Sequence, residues 1–127
     1  MIEGKLASEE TDMRIDVRGR NMEVTDELRE HISKRFARVS KQVSGLARLD
    51  IEVYEERNPS IRDKEVAEAT LYLKGTTLRA REASPEMIHS VHELAEDIRR
   101  QVKRYREKRR GRARSRRVMG RLRGREA

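Results

Sequence analysis

The stretch from Ser84 to Arg110 constrains this chain most, because its pattern suits a single long amphipathic helix. Ser84-Pro85-Glu86-Met87 reads as the helix start. The Ser84 hydroxyl is suited to accept a backbone N–H as N-cap, and Pro85 suits the first helical position, where its missing N–H costs nothing. Glu86 falls in the electropositive first turn. Apolar residues then recur at Met87, Val91, Leu94, Ile98, Val102 and Tyr105, in steps of four and three. That spacing makes one continuous apolar stripe. Neither proline nor glycine interrupts the run before Gly111. About 25 residues at about 1.5 Å each give a rod about 37 Å long. Its other faces change character: Glu93, Glu96 and Asp97 come early, then Arg99, Arg100, Lys103, Arg104, Arg106 and Lys108. One element therefore both closes a core and carries a positive field at its end.

The upstream chain supplies what such a helix lies on. In Met13 to Arg18, Met13, Ile15 and Val17 alternate with polar residues, predicting a strand with one buried face that ends at Gly19-Arg20-Asn21. Thr25 or Asp26 caps a second amphipathic helix. Its stripe is Leu28, Ile32, Phe36, Val39 and Val43, and it ends before Gly45. Ala47–Glu55, Lys64–Lys74 and Thr77–Ala83 read as three more strands, joined by the loop Arg57-Asn58-Pro59-Ser60 and the turn Gly75-Thr76. The order β-α-β-β-β-α predicts an α+β two-layer sandwich, with two helices on one face of a four-stranded mixed sheet. The first two strands are expected parallel and the last three antiparallel.

Composition sets the scale. With 127 residues, 35% of them hydrophobic and 43% charged, the chain has room for one small domain with a thin core. There is no cysteine, so neither disulfides nor thiolate metal sites arise. No apolar run approaches the roughly 18 residues of a membrane span, and the N-terminus lacks the basic-then-apolar pattern of a secretory signal. A cytoplasmic protein is the default reading. The net charge of +8 is unevenly spread: residues 99–127 hold 15 Lys and Arg against 2 Asp and Glu, and the remainder is net acidic. Concentrated arginine is the footprint of a phosphate-backbone binder, because each contact releases counterions. The plainer alternative is a solubilising tail. Residues 1–12 are polar, without periodicity, and read as a disordered leader; 109–127 read as a disordered basic tail.

Three blocks carry a family resemblance. They are Ile15-Asp16-Val17-Arg18-Gly19-Arg20-Asn21-Met22-Glu23-Val24-Thr25-Asp26-Glu27-Leu28-Arg29, then Leu73 to Glu82, then Glu86 to Arg106. Together, in order and spacing over 13–108, they resemble the ribosome hibernation-promoting factor and ribosome-associated inhibitor family. The resemblance implies a ribosome-binding domain over 13–108. It implies a partner, the small ribosomal subunit and its rRNA, bound in the channel between head and platform in competition with mRNA and A- and P-site tRNA. The implied outcome is blocked translation under stress or in stationary phase. Basic residues of the two helices are implied to face rRNA, which here means Arg29, Lys34, Arg35 and Arg38, then Arg100, Lys103, Arg104, Arg106 and Lys108. Ile88 stands where the family commonly has tyrosine, and Asp97 where it has lysine. Long-form members add a C-terminal dimerisation domain, so the chain reads as a short form or as the N-terminal part of a longer protein. By itself it is expected to be a monomer.

Other chemistry has simpler explanations. His89 and His92 with Glu93 and Glu96 have metal-like spacing, but ordinary His–Glu pairs on a surface helix account for them. Asp50 and Glu52 fit the polar phase of a half-buried strand better than a catalytic pair. Gly19-Arg20-Asn21 is a turn, not a phosphate loop. Tyr54 and Tyr72 suit cross-strand packing better than a base-stacking platform. No enzyme, cofactor or metal is expected. The competing function class is a general structured-RNA-binding module, such as a duplex-RNA binder, which would also use basic helices with little base readout.

Overall fold

A computed structural model describes the backbone of residues 13–126 and the side chains as far as Met119. The elements are β1 (Arg14–Arg20), α1 (Asp26–Arg35), α2 (Ala37–Gln42), β2 (Arg48–Glu55), β3 (Glu65–Leu73), β4 (Thr76–Ser84) and α3 (Met87–Glu126). The strands form one sheet in the order β1-β2-β3-β4. β1 runs parallel to β2, which the intervening helices make possible by carrying the chain back over the sheet. The other two pairings are antiparallel, with Ile51 opposite Ala69 and Leu71 opposite Leu78. The helices cover one face, giving the two-layer α+β sandwich expected from the periodicities.

The alternation along each strand decides which face is covered. Leu49, Ile51 and Val53 of β2 and Ala67, Ala69 and Leu71 of β3 are buried on the helix side. They meet Ile32, Phe36 and Val39 from α1 and α2, and Val91, Leu94, Ala95, Ile98 and Val102 from α3, in one apolar cluster. The stripe of α3 read from the sequence is thus the seam along which that helix lies on the sheet. Small alanines on β3 let the thick helix approach, which suits a chain with few large apolar residues.

Four boundaries differ from the sequence expectation. The second predicted helix is divided at Phe36, whose backbone (φ −93°, ψ 5°) leaves the helical region. The hydrogen-bond ladder continues across the division, Phe36 N–H donating to Ile32 O and Ser40 N–H to Phe36 O, each at 3.0 Å. The break therefore re-aims the axis by one residue while Phe36 stays fully buried. β1 runs through Gly19 and Arg20 and ends only at Asn21, which has φ 57°. Glycine is required at 19 because a Cβ there would collide with the Met22 carbonyl oxygen as the chain folds back. Ser84 closes β4, so the first helical bond of α3 is Ser90 N–H to Glu86 O at 3.0 Å. Finally α3 passes Arg110 and stays helical to Glu126, where the sequence suggested a non-helical tail. Arginine is a good helix former, and a glycine such as Gly111 weakens a helix by about 1 kcal/mol without forbidding it, as proline would.

Ser84 keeps a role at the helix start. Its buried hydroxyl accepts from Glu86 N–H at 3.2 Å and shares a 2.7 Å hydrogen bond with the Ser90 hydroxyl. Ser90 in turn donates to Glu65 O at 2.6 Å. Two buried hydroxyls thus tie the first turn of α3 to the end of β4 and the start of β3, fixing the direction in which the basic end points.

Candidate nucleic-acid interface

The nine basic residues singled out from the sequence all lie on helices and are all exposed. Arg29, Lys34 and Arg35 project from α1 and Arg38 from α2. Thr25 fixes the start of α1, its Oγ1 accepting from Leu28 N–H at 3.1 Å. Arg100, Lys103, Arg104, Arg106 and Lys108 lie on α3 around the buried Val102. The alternation of apolar and basic residues turns Ile98 and Val102 to the core and the cations outward. Among the described residues, none of the nine stands within salt-bridge distance of a carboxylate, whereas six arginines elsewhere do.

Five of those six neutralised arginines lie on the uncovered face of the sheet. Arg20 meets Glu52 at 2.6 Å and Arg18 meets the same carboxylate at 3.6 Å. Arg14 pairs with Asp16, Arg48 with Asp50 and Arg81 with Glu68. Guanidinium groups also cover the tyrosines: Arg20 lies 3.9 Å from the Tyr54 ring centre and Arg48 4.4 Å from that of Tyr72. The Tyr54 hydroxyl donates to Glu68 at 2.9 Å. These rings are thus engaged across strands, as their phase suggested, and are not open platforms for bases.

The two ends of α3 differ. Near its start, Glu82 of β4 lies by Asp97 and Glu93. Burial first, and then these carboxylates, holds Glu82 above the usual carboxylate range, with Arg100 opposing. Glu96, bonded to Arg99 at 3.0 Å, is held below that range. Gln101 steadies the site, its side-chain amide donating to Asp97 at 3.0 Å and to the Arg79 carbonyl at 2.8 Å. Farther along, Arg104 and Lys108 line an open cleft of about 690 Å³ between α3 and the β3–β4 turn. Lys74, Arg109 and Arg112 share this cleft and were not singled out from the sequence. Lys74 reaches the cleft through the turn at Gly75 (φ 80°), which brings the chain round beside the helix. Arg29, Lys34, Arg35 and Arg38 do not line this cleft. Among the described residues, no cluster of three His, Asp or Glu side chains is gathered for a metal, and no helix is long and apolar enough to cross a membrane.

The model of the family described as Sigma 54 modulation protein / S30EA ribosomal protein matches residues 15–110. The chain belongs to this family. A relative in Picosynechococcus sp., named ribosome hibernation promotion factor, is 30% identical over 97 residues, which are 76% of this chain and 50% of that protein. The protein of the same name in Lactococcus lactis subsp. cremoris is 29% identical over 97 residues, 73% of this chain and 49% of its own. The chain thus spans about half the length of these two relatives. Among solved structures, the N-terminal domain of Thermus thermophilus Protein Y aligns with TM-score 0.64 and 26% identity, covering 73% of this chain and 99% of that domain. The S30EA family match covers every block that carried the resemblance in the sequence, and it ends at Arg110, while α3 continues.

Proposed function

We propose that this chain is a ribosome hibernation factor that seats on the small ribosomal subunit in the mRNA and tRNA channel and blocks translation by occupancy. The observation that carries the reading is the sorting of charge. Nine exposed cations on the helical layer have no carboxylate partner among the described residues, while the opposite face of the sheet is laced with ion pairs. Unneutralised cations on a rigid surface favour a polyanion, and rRNA is the polyanion that fits a family of ribosomal proteins. The names of the relatives support the same reading. Arg29, Lys34, Arg35 and Arg38 would hold one stretch of phosphates and Arg100, Lys103, Arg104, Arg106 and Lys108 another. The contacts would be to shape and backbone more than to base edges, since Tyr54 and Tyr72 are already engaged by arginines and by Glu68. The chain's place of action would then be the cytoplasm, with mRNA and A- and P-site tRNA as competitors and no cofactor.

Sedimentation with purified small subunits tests this, with free duplex RNA as competitor. The expected result is co-sedimentation that excess duplex does not abolish. Complete loss to the duplex would instead favour a general structured-RNA binder.

A further inference from the structure

On α3 a row of cations begins inside the family match and runs past its end at Arg110. Arg100, Arg104, Lys108, Arg112 and Arg116 follow one another at intervals of four residues, and all five are exposed. Four residues of helix rise about 6 Å, and each step drifts about 40° around the axis, so the five cations form one slowly winding row. Like charges at this spacing repel each other. The row starts on the body of the domain and enters the cleft by the β3–β4 turn, where Lys74 faces Arg104, Lys108 and Arg112. It then leaves along the free part of the helix. Tyr105 braces the cleft, donating through its hydroxyl to the Lys74 carbonyl at 3.2 Å and accepting from Arg109 at 3.2 Å. Between Ile98 and Met119 the only acid is Glu107.

We propose that this row carries the RNA surface of α3 outward, beyond the contacts already assigned to Arg100, Arg104 and Lys108, as a track for one phosphodiester backbone that enters the cleft beside Lys74 and follows Lys108, Arg112 and Arg116. A regularly stepped row of cations complements a ligand whose anions also repeat regularly, and a phosphodiester chain is such a ligand. Four of the five are arginines, whose planar fork grips a phosphate oxygen pair where an ammonium offers a point charge. An acidic protein surface would need carboxylates at the same repeat. The inference rests on the ribosome reading only for the source of the RNA.

The test compares the full chain with Arg112→Gln/Arg116→Gln. A charge-matched control, Arg57→Gln/Arg62→Gln, lies in the exposed β2–β3 loop. Each is titrated against purified small subunits and against an unstructured uridine oligonucleotide, over a series of salt concentrations, with helicity checked by circular dichroism. The row variant is expected to keep its helicity and to lose about 1.5 to 2 from the slope of log affinity against log salt with both RNAs. The loop control should lose much less. Equal slopes for the two variants, or a loss on subunits without a loss on the oligonucleotide, would overturn the proposal, the latter pointing to an acidic protein contact. A chain that ignores small subunits, yet shows the row effect on the oligonucleotide, would remove the ribosome reading and leave this one standing.

Discussion

At the scale of single residues, the core and the charged rim respond to different variables. Ile98 is fully buried at the middle of the α3 seam. Ile98→Ala should cost about 2–4 kcal/mol through lost burial and the cavity left behind, readable as a lower denaturation midpoint at unchanged m-value. That is a large share of the roughly 5–15 kcal/mol available to a domain. Glu82 should show the opposite sign. Its folded pKa is raised above the ordinary 4.5 by burial and by Asp97. The unfolded chain therefore gives up this proton first, and stability is lost as pH rises through that window. Glu82→Gln removes the loss, so its melting temperature should exceed the parent's at pH 7 and the gain should vanish by about pH 4. Glu96, lowered by Arg99, contributes stability that is present at neutral pH and lost on acidification. Glu96→Gln should accordingly lower the melting temperature at pH 7.

At the scale of elements, the strands were legible to within a residue or two and the helices were legible in their faces but not in their ends. Alternation of period two reads directly because a strand facing a covered layer has one buried side, as in Leu49, Ile51 and Val53. The break at Phe36 was not legible. Phe36 keeps both its place in the apolar stripe and its helical hydrogen bonds, so no local signal marks the change in its ψ. The course of α3 past Arg110 was hidden because low complexity and glycine argue for irregular chain, while arginine's helix propensity argues the other way. Of the candidate site, the basic residues on α1, α2 and α3 were visible as charge left over after the core was assigned. Lys74 was not, because only tertiary folding brings the β3–β4 turn beside Lys108. The cap of α1 was legible as Thr25 or Asp26, the structure gives Thr25, and this leads to an element-scale prediction. Thr25→Ala should lower stability by about 1 kcal/mol, measured by chemical denaturation, because Leu28 N–H loses its partner.

At the scale of the whole molecule, inhibition by occupancy has a stoichiometric signature. Translation in a purified system should fall in proportion to the ratio of chain to ribosomes, reach its limit near one chain per ribosome, and recover with excess initiator tRNA and mRNA. Inhibition at a small fraction of one equivalent, or without recovery, would point to chemistry instead. The division of charge between the two layers has a further effect, on arrival. A sheet face whose charges cancel pairwise, set against a helical face whose charges do not, gives the molecule a large electric dipole. In the field of a polyanion such a dipole feels a torque, so the chain would turn its helices forward once within about a Debye length of the surface, and a greater share of collisions would become productive. Location then matters more than total charge. Glu52→Gln frees Arg18 and Arg20 on the rear face and weakens the dipole, whereas Glu30→Gln adds the same charge in front. In stopped-flow association at low salt, the second substitution should speed binding clearly more than the first, and the difference should fade as salt shortens the reach of the field.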